Sequence, residues 1–408
     1  MKLKVKYQYT YFIYPYIIEE KKYNNYIYKL LKDKNCKLKL FDSQKNIGIE
    51  KYFLPEIKEK LFWSIYYSDK ALREFNNMDI KMKANILAQK DCNIFEYNLK
   101  KDIPGKIIES DGIFFDISKV EIVCFKTGIC FLLLKTVLTE QNSFSDVLNF
   151  NYKFKNINSK IGQESEFNRI KIQTSKLNNM QSFTEFMEEI VGNKERIKAI
   201  NVDTNELITY SYTCLDQNSL KENGEIIKKE FEKYRQVKPE EEQKENVVLK
   251  DKYTYRYGNS LFGFSPKSVV LLTYDDNIKN YTKLLEEFET EMLYQYIFNL
   301  YKKIYLKKIN YEFKNVNKFE IVKDRFLKFI KKDWIYEVST SELGRVLEQY
   351  YIDSLDSRSL FLSIKQEYDL YFKEYTIRKK DEENTVKILV VSTIIVTIIL
   401  IYIIFKMF

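Results

Sequence analysis

The apolar positions of this chain fall into two regimes that meet near Asp275-Asp276. Before that point they form short strand-like and helical segments. Residues 3–18, LKVKYQYTYFIYPYII, are rich in Tyr, Ile and Val and predict a strand bent near Pro15. Residues 54–75 predict a helix, with Pro55 at a permitted first-turn position and Leu61, Ile65 and Leu72 on one face. Residues 103–138 carry the strongest strand signal, punctuated by Pro104-Gly105 and Asp111-Gly112. Within it, KVEIVCF and ICFLLLKTVL flank Lys126-Thr127-Gly128, the outline of a β-hairpin. The near-continuous apolar run 129–134 predicts a strand covered on both faces, because a strand with one wet face alternates. Helices are expected at about 145–152 and 183–191, a strand at 206–215, and a helix at 219–235. The charged stretch KPEEEQKEN (238–246) reads as a solvated turn or a linker. Residues 251–275 hold a second hairpin-like pattern that turns through Ser265-Pro266 into SVVLLTY. Both halves thus run hairpin, buried strand, helix, with too little similarity to define a repeat.

After Asp275-Asp276 the spacing is helical throughout. Residues 278–311 place Tyr281, Leu285, Phe288 and Met292 on one face and Leu293, Ile297, Leu300 and Ile304 on a neighbouring one. A stripe this wide predicts contact with more than one neighbour. A second helix is expected at 318–331. Ser339 to Glu342 (STSE) has an N-cap signature with an acid three residues on, ahead of a helix at 342–354. After the turn at Asp356-Ser357 a last helix begins near Ser359, with Ile364, Tyr368, Tyr371 and Tyr375 at helical spacing. No Gly or Pro follows Gly344, so this helix is expected to run on through 378–387 as one rod.

The rod ends in 18 residues, 388–405, without a charge, of which 14 are Ile, Leu, Val or Phe. As a helix that run is about 27 Å long, close to the roughly 30 Å of a bilayer's hydrocarbon core. Lys387 and Lys406 bracket it and can snorkel to the headgroups. A buried core helix would keep a polar stripe; here the polar residues are only Ser392, Thr393, Thr397 and Tyr402. Residues 387–406 are therefore expected to be a transmembrane helix. The N-terminus, MKLKVKYQYT, is too charged for a signal peptide. With Arg378, Lys379, Lys380 and Lys387 just before the span, the positive-inside rule places the N-terminal body in the cytoplasm. The expected arrangement is a single-pass protein of the cytoplasmic membrane, with no domain on the far side.

The fold class implied is α+β: a mixed α/β cytosolic domain (1–276, with subdivision near 155–205 or 238–246), a helical stalk region (277–386) and the span. An apolar fraction of 45% and an aromatic fraction of 16% suffice for a sizeable core. Histidine is absent, which removes the commonest general base and the catalytic triads and zinc sites that depend on it. No glycine spacing matches a dinucleotide or phosphate-loop fingerprint. The expectation is a non-enzymatic protein. The net charge of +9 is dispersed among acids with no block of six basic residues, so no nucleic-acid partner is expected. Arg378, Lys379, Lys380, Lys387 and Lys406 are instead candidate lipid contacts. Cys36, Cys92, Cys124, Cys130 and Cys214 are scattered without a CxxC and read as reduced core thiols.

Four constellations carry candidate chemistry. Adjacent carboxylates at Asp275-Asp276 suit a divalent cation, but a turn and helix cap is the stronger reading, and no cofactor is implied. Glu188-Glu189 and Glu286-Glu287 read as solvated helix faces. Tyr7, Tyr9, Tyr11, Phe12 and Tyr14 could stack on bases but fit strand core and surface better. In the span, Ser392, Thr393 and Thr397 are the handle for self-association, or else bond back to their own helix.

From about residue 275 to 405 the chain resembles the CorA-like family of divalent-cation transport proteins. LLEEFETEMLYQYIFNLYKKIYL is similar to the long helix after that family's sheet. FLKFIKKDWIYEVSTSELGRVLEQYY is similar to the connection in its distant bacterial relatives, and NTVKILVVSTIIVTIIL to the start of its first membrane helix. The family's second membrane helix and its Gly-Met-Asn selectivity loop are missing, so conventional magnesium transport is not implied. Some CorA-like proteins accompany prokaryotic antiviral systems and act on the membrane after a cytosolic signal. The resemblance thus implies a homo-oligomeric defence effector, with a small-molecule or protein signal on its cytosolic sensing domain, that changes permeability or moves ions. The competing expectation is a tail-anchored scaffold or recruitment protein without transport.

Overall fold

The computed structural model describes residues 3–99, 101–108, 112–139, 143–156, 170–173, 180–191, 200, 202, 206–218, 224–237, 252–254, 260–315 and 319–407. The strands among them are β1 (Val5–Ile17), β2 (Cys36–Leu38), β3 (Cys92–Tyr97), β4 (Ile103–Ile107), β5 (Ile113–Phe125), β6 (Ile129–Leu138), β7 (Ile170–Gln173), β8 (Met180–Ser182), β9 (Ile208–Leu215), β10 (Lys252–Thr254), β11 (Leu261–Ser265) and β12 (Ser268–Tyr274). They form one sheet, ordered β10-β11-β12-β9-β1-β6-β5-β4-β7-β8, with β2 and β3 joined to it through β5.

The sheet is buried on both faces, and the side-chain alternation of its central strands shows why. In β1, Tyr9, Tyr11 and Ile13 enter one core while Phe12, Tyr14 and Tyr16 enter the other. β6 does the same with Ile129, Phe131 and Leu133 against Cys130, Leu132 and Leu134, so its unbroken apolar run has the predicted cause. Helices Glu20–Lys32, Asp69–Asn77, Ile80–Leu87, Phe144–Lys155, Phe183–Val191 and Gly224–Gln236 cover the second face. Helices Ile47–Tyr52 and Pro55–Leu61 and the helices after β12 cover the first. The result is the α+β class expected, a mixed sheet between helical layers followed by a helical C-terminal part.

The hairpin predicted at 126–128 joins β5 to β6. Gly128 adopts φ +83°, and a Cβ there would stand 2.1 Å from the carbonyl oxygen of Ile18, so glycine is required. Residues 121–125 of β5 pair with β3 and residues 113–117 with β4; the register shift against β6 between Ile117 and Lys119 falls between the two. The two hairpins are not equivalent. β6 lies antiparallel to β1, whereas β12 lies parallel to β9.

Two predicted helices are broken. The one at 54–75 becomes Pro55–Leu61, a 3-10 turn at Trp63–Tyr66 and Asp69–Asn77, capped by Ser68. Phe62 packs in one core and Trp63 in the other, which one continuous helix cannot arrange. The one at 278–311 becomes Ile278–Tyr281, Lys283–Glu289 and a 25-residue central helix, Glu291–Asn315. The breaks fall at Thr282 and Thr290, whose hydroxyls donate to the carbonyls four residues back at 2.8 and 2.7 Å, a bond that bends helices. Of the two candidate subdivisions, 238–246 lies outside the described residues, and most of 155–205 does too.

Candidate functional site at the junction of body and terminal helix

The terminal helix, Ser357–Met407, is 51 residues long, roughly 77 Å at 1.5 Å per residue. It starts after Asp356, whose φ of +52° turns the chain out of helix Glu342–Ser354. Its first turns are set in the body. Phe361 stacks on Trp334 at 4.4 Å between ring centroids, and Ile364 is fully buried. Tyr368 meets Phe326 at 5.0 Å and Phe313 at 5.8 Å, and Tyr375 meets Phe319 at 5.1 Å. Positions 361, 364, 368, 371 and 375 therefore form the docking stripe, against the central helix and helix Phe319–Lys332. Sequence spacing identified four of the five; Phe361 was missed.

Beyond Tyr375 the helix leaves the body. Its best 18-residue window has a mean hydropathy of 3.1 and none of it is buried, and among the described residues it is the one helix long and apolar enough to cross a membrane. Arg378 donates to Glu374 at 2.5 Å, and Lys379, Lys380 and Lys387 are exposed before the apolar run, with Lys406 at its far end. The hydroxyls of Ser392 and Thr393 both donate to Leu389 O, and that of Thr397 donates to Thr393 O, each at 2.8 Å. In this chain all three thus bond back into their own helix.

The central helix connects this junction to the sheet. Nearly every side chain on its first four turns is buried, and among them runs a polar line, Glu291, Gln295, Asn299 and Lys302. That line meets Glu348 on helix Glu342–Ser354. Lys302 Nζ donates to Glu348 Oε1 at 2.7 Å; Asn299 Nδ2 and Gln295 Nε2 donate to Oε2 at 2.7 and 2.9 Å. The hydroxyl of Tyr52 donates to Gln295 Oε1 at 2.5 Å. Both charges are 3% exposed or less, so this is a desolvated ion pair satisfied by hydrogen bonds. The line recurs every three to four residues, a signal present in the sequence but masked by the wide apolar stripe around it.

A second buried carboxylate lies on β5. Glu121 accepts from Lys39 Nζ at 2.7 Å and from the Tyr294 hydroxyl at 3.2 Å, with Lys119 at 3.4 Å. Burial would raise its pKa, but Lys39 and Lys119 outweigh that and hold it below the ordinary carboxylate value. Lys303, half-buried beside Lys307 and Asp356, is pushed down to about 8, first by burial and then by the neighbouring ammonium.

Apart from Glu287, the other residues singled out fall where the blander readings placed them. Asp275 accepts from Gln217 N at 2.6 Å and pairs with Lys6, and Asp276 accepts from Asn280 at 3.2 Å, so both serve a turn. Asn277, rather than either acid, caps the next helix. Glu188, Glu189 and Glu286 are exposed, but Glu287, expected on the same solvated face, is half-buried and pairs with Lys283 at 3.5 Å. Tyr9, Tyr11, Phe12 and Tyr14 are core; Tyr7 is exposed and stacks on Tyr281 at 5.7 Å. All five cysteines are buried and free. Among the described residues no group of acids and thiols is arranged to hold a metal ion. A cavity of about 530 Å³ lies on the opposite face of the sheet between helix Glu20–Lys32 and Glu189–Val191.

No protein-family model, curated protein or solved structure matches this chain.

Proposed function

We propose that this protein is a membrane effector of the CorA-like kind. A cytosolic body receives a signal, and the terminal helix carries the response to an oligomeric cluster of spans that alters permeability or moves ions. One observation supports this above the rest. The stripe from Phe361 to Tyr375 that is packed in the body and the apolar run from Ile388 to Phe405 belong to the same helix, which contains neither Gly nor Pro. A helix resists bending, so a shift of its docked turns reaches the bilayer without an intervening joint. The bracketing lysines and the basic group at 378–380 suit a cytoplasmic body and contact with anionic lipid. No catalytic step is part of this reading.

A second reading, a tail-anchored scaffold, is favoured by the span itself. Its three hydroxyls are satisfied within their own helix and offer little to a partner span. Reconstitution into dye-loaded vesicles, with and without cell extract, separates the two. The effector releases dye, and replacing residues 388–405 by an unrelated apolar helix of equal length abolishes release. A monomer in mild detergent that releases no dye under any condition rules out the effector and leaves the scaffold.

A further inference from the structure

A small cavity of about 190 Å³ opens where the β5–β6 hairpin faces helix Phe319–Lys332. Its floor is aromatic: Tyr301 stacks on Phe125 at 3.9 Å between centroids. Five cations line it, Lys60, Lys126, Arg325, Lys328 and Lys332, against three acids. The acids are engaged. Lys60 is held by Asp333 at 2.5 Å and Asp91 at 3.5 Å, and Arg325 by Glu312 at 2.8 Å and Glu20 at 3.0 Å. Among the described residues no carboxylate lies within ion-pair distance of Lys328 or Lys332, though Lys328 acts electrostatically on Asp333, and Lys126 donates to the uncharged Gln89. Lysines in the last turn of a helix are favoured by its dipole, which accounts for Lys332. It does not account for Lys126, which comes to the same cavity from a hairpin on the other side. Like charges converging on a hollow with polar walls are stabilised by an anion.

We propose that this cavity binds a small soluble oxyanion of the phosphate or pyrophosphate class, held between Lys126 on the hairpin and Lys328 and Lys332 on the helix. The volume is below that of pockets that enclose drug-sized ligands, which selects the anion itself over a large molecule bearing it. A lipid headgroup is out of reach. Tyr305 of the cavity's lining packs on Phe329, Phe329 on Trp334 and Trp334 on Phe361, and Phe361 is roughly 40 Å along the helix from Ile388. Occupancy would tie the hairpin to helix Phe319–Lys332, whose Phe326 holds Phe361 and Tyr368 of the terminal helix. As the input to the effector this rests on the reading above; as a binding site it does not.

The test is calorimetric titration of the full chain in mild detergent with inorganic phosphate and pyrophosphate, at constant ionic strength. Saturable binding is expected. It should weaken at least about tenfold in Lys328→Gln/Lys332→Gln, as loss of two charge-assisted contacts implies, and stay unchanged in Lys331→Gln, which lies outside the cavity. Thermal melts of each variant check that it is folded. No saturable binding of either anion, or equal binding by the double variant, overturns the proposal. Binding without dye release refutes only the effector reading, and dye release without binding refutes only this site.

Discussion

Replacing Glu348 by Leu strikes the centre of the polar line on the central helix. It removes the acceptor of three hydrogen bonds at 2.7, 2.7 and 2.9 Å. Lys302, 2% exposed, is left with the carbonyl of Ile335 at 3.4 Å and the Phe298 and Trp334 rings at 5.2 and 5.9 Å, but no counter-ion. A buried ammonium without its counter-ion costs roughly 3–5 kcal/mol. Lys302→Met is milder, about 2–3 kcal/mol, because the carboxylate keeps the Gln295 and Asn299 amides. The double variant removes both charges. Gln295 still donates to Gly344 O at 2.7 Å and Asn299 to Gln295 O at 3.0 Å, so each amide keeps one of its two acceptors and no unpaired charge remains. The double variant should therefore be about 3 kcal/mol or more better than the sum of the singles. Urea unfolding in mild detergent, followed by tryptophan fluorescence, measures all four corners of the cycle. One of the two tryptophans, Trp334, has its ring centroid 5.9 Å from Lys302 Nζ and reports this site. Additive effects, or an E348L cost below about 1 kcal/mol, would refute a desolvated and coupled pair.

Three further outcomes are expected. Ile395→Arg/Ile399→Arg places two charges one turn apart near the middle of the apolar run, at roughly 2.5–3.5 kcal/mol each, and should move the protein from the membrane to the soluble or aggregated fraction on centrifugation. Gly128→Ala meets both the positive φ and the Ile18 carbonyl and should lower the urea midpoint by the equivalent of about 1–3 kcal/mol, while Thr127→Ala beside it has a smaller effect. Glu121 has a folded pKa below its ordinary 4.5, so its contribution is present above that value and is lost as pH falls through the folded pKa. The stability gap between wild type and Glu121→Gln should be full near pH 7 and shrink as the pH falls below 4.5 in urea titrations, and a constant gap would contradict the assignment.

The elements visible in the sequence were those whose pattern is set by the element itself. β1, β6 and β12 are dense in β-branched and aromatic residues because both faces are covered. The terminal helix is legible because nothing interrupts it from Ser357 onward. What stayed hidden depends on distant partners. Helix Glu20–Lys32 buries only Tyr23, Ile27 and Leu30 among its charges, and β2 is three residues paired to β3. The breaks at Thr282 and Thr290 come from side chains competing for the backbone, which hydrophobic spacing does not register. The buried carboxylates Glu121 and Glu348 look like ordinary surface acids until Lys39 and Lys302 are brought beside them from 82 and 46 residues away. The cationic cavity is assembled from six separated segments, and no local run of lysines announces it.

Continuity of the helix from body to bilayer is open to direct measurement. Lys365 and Lys387 are both exposed, and the five native cysteines are buried, so spin labels can be directed to cysteines introduced at these two positions. With labelled chains diluted by unlabelled ones in lipid nanodiscs, dipolar spectroscopy reads the distance within one chain. An unbroken helix gives one narrow distribution near 33 Å, 22 residues at about 1.5 Å each, before the label linkers are added. A broad or clearly shorter distribution would mean a joint between body and span, and a rigid element could not then carry the response.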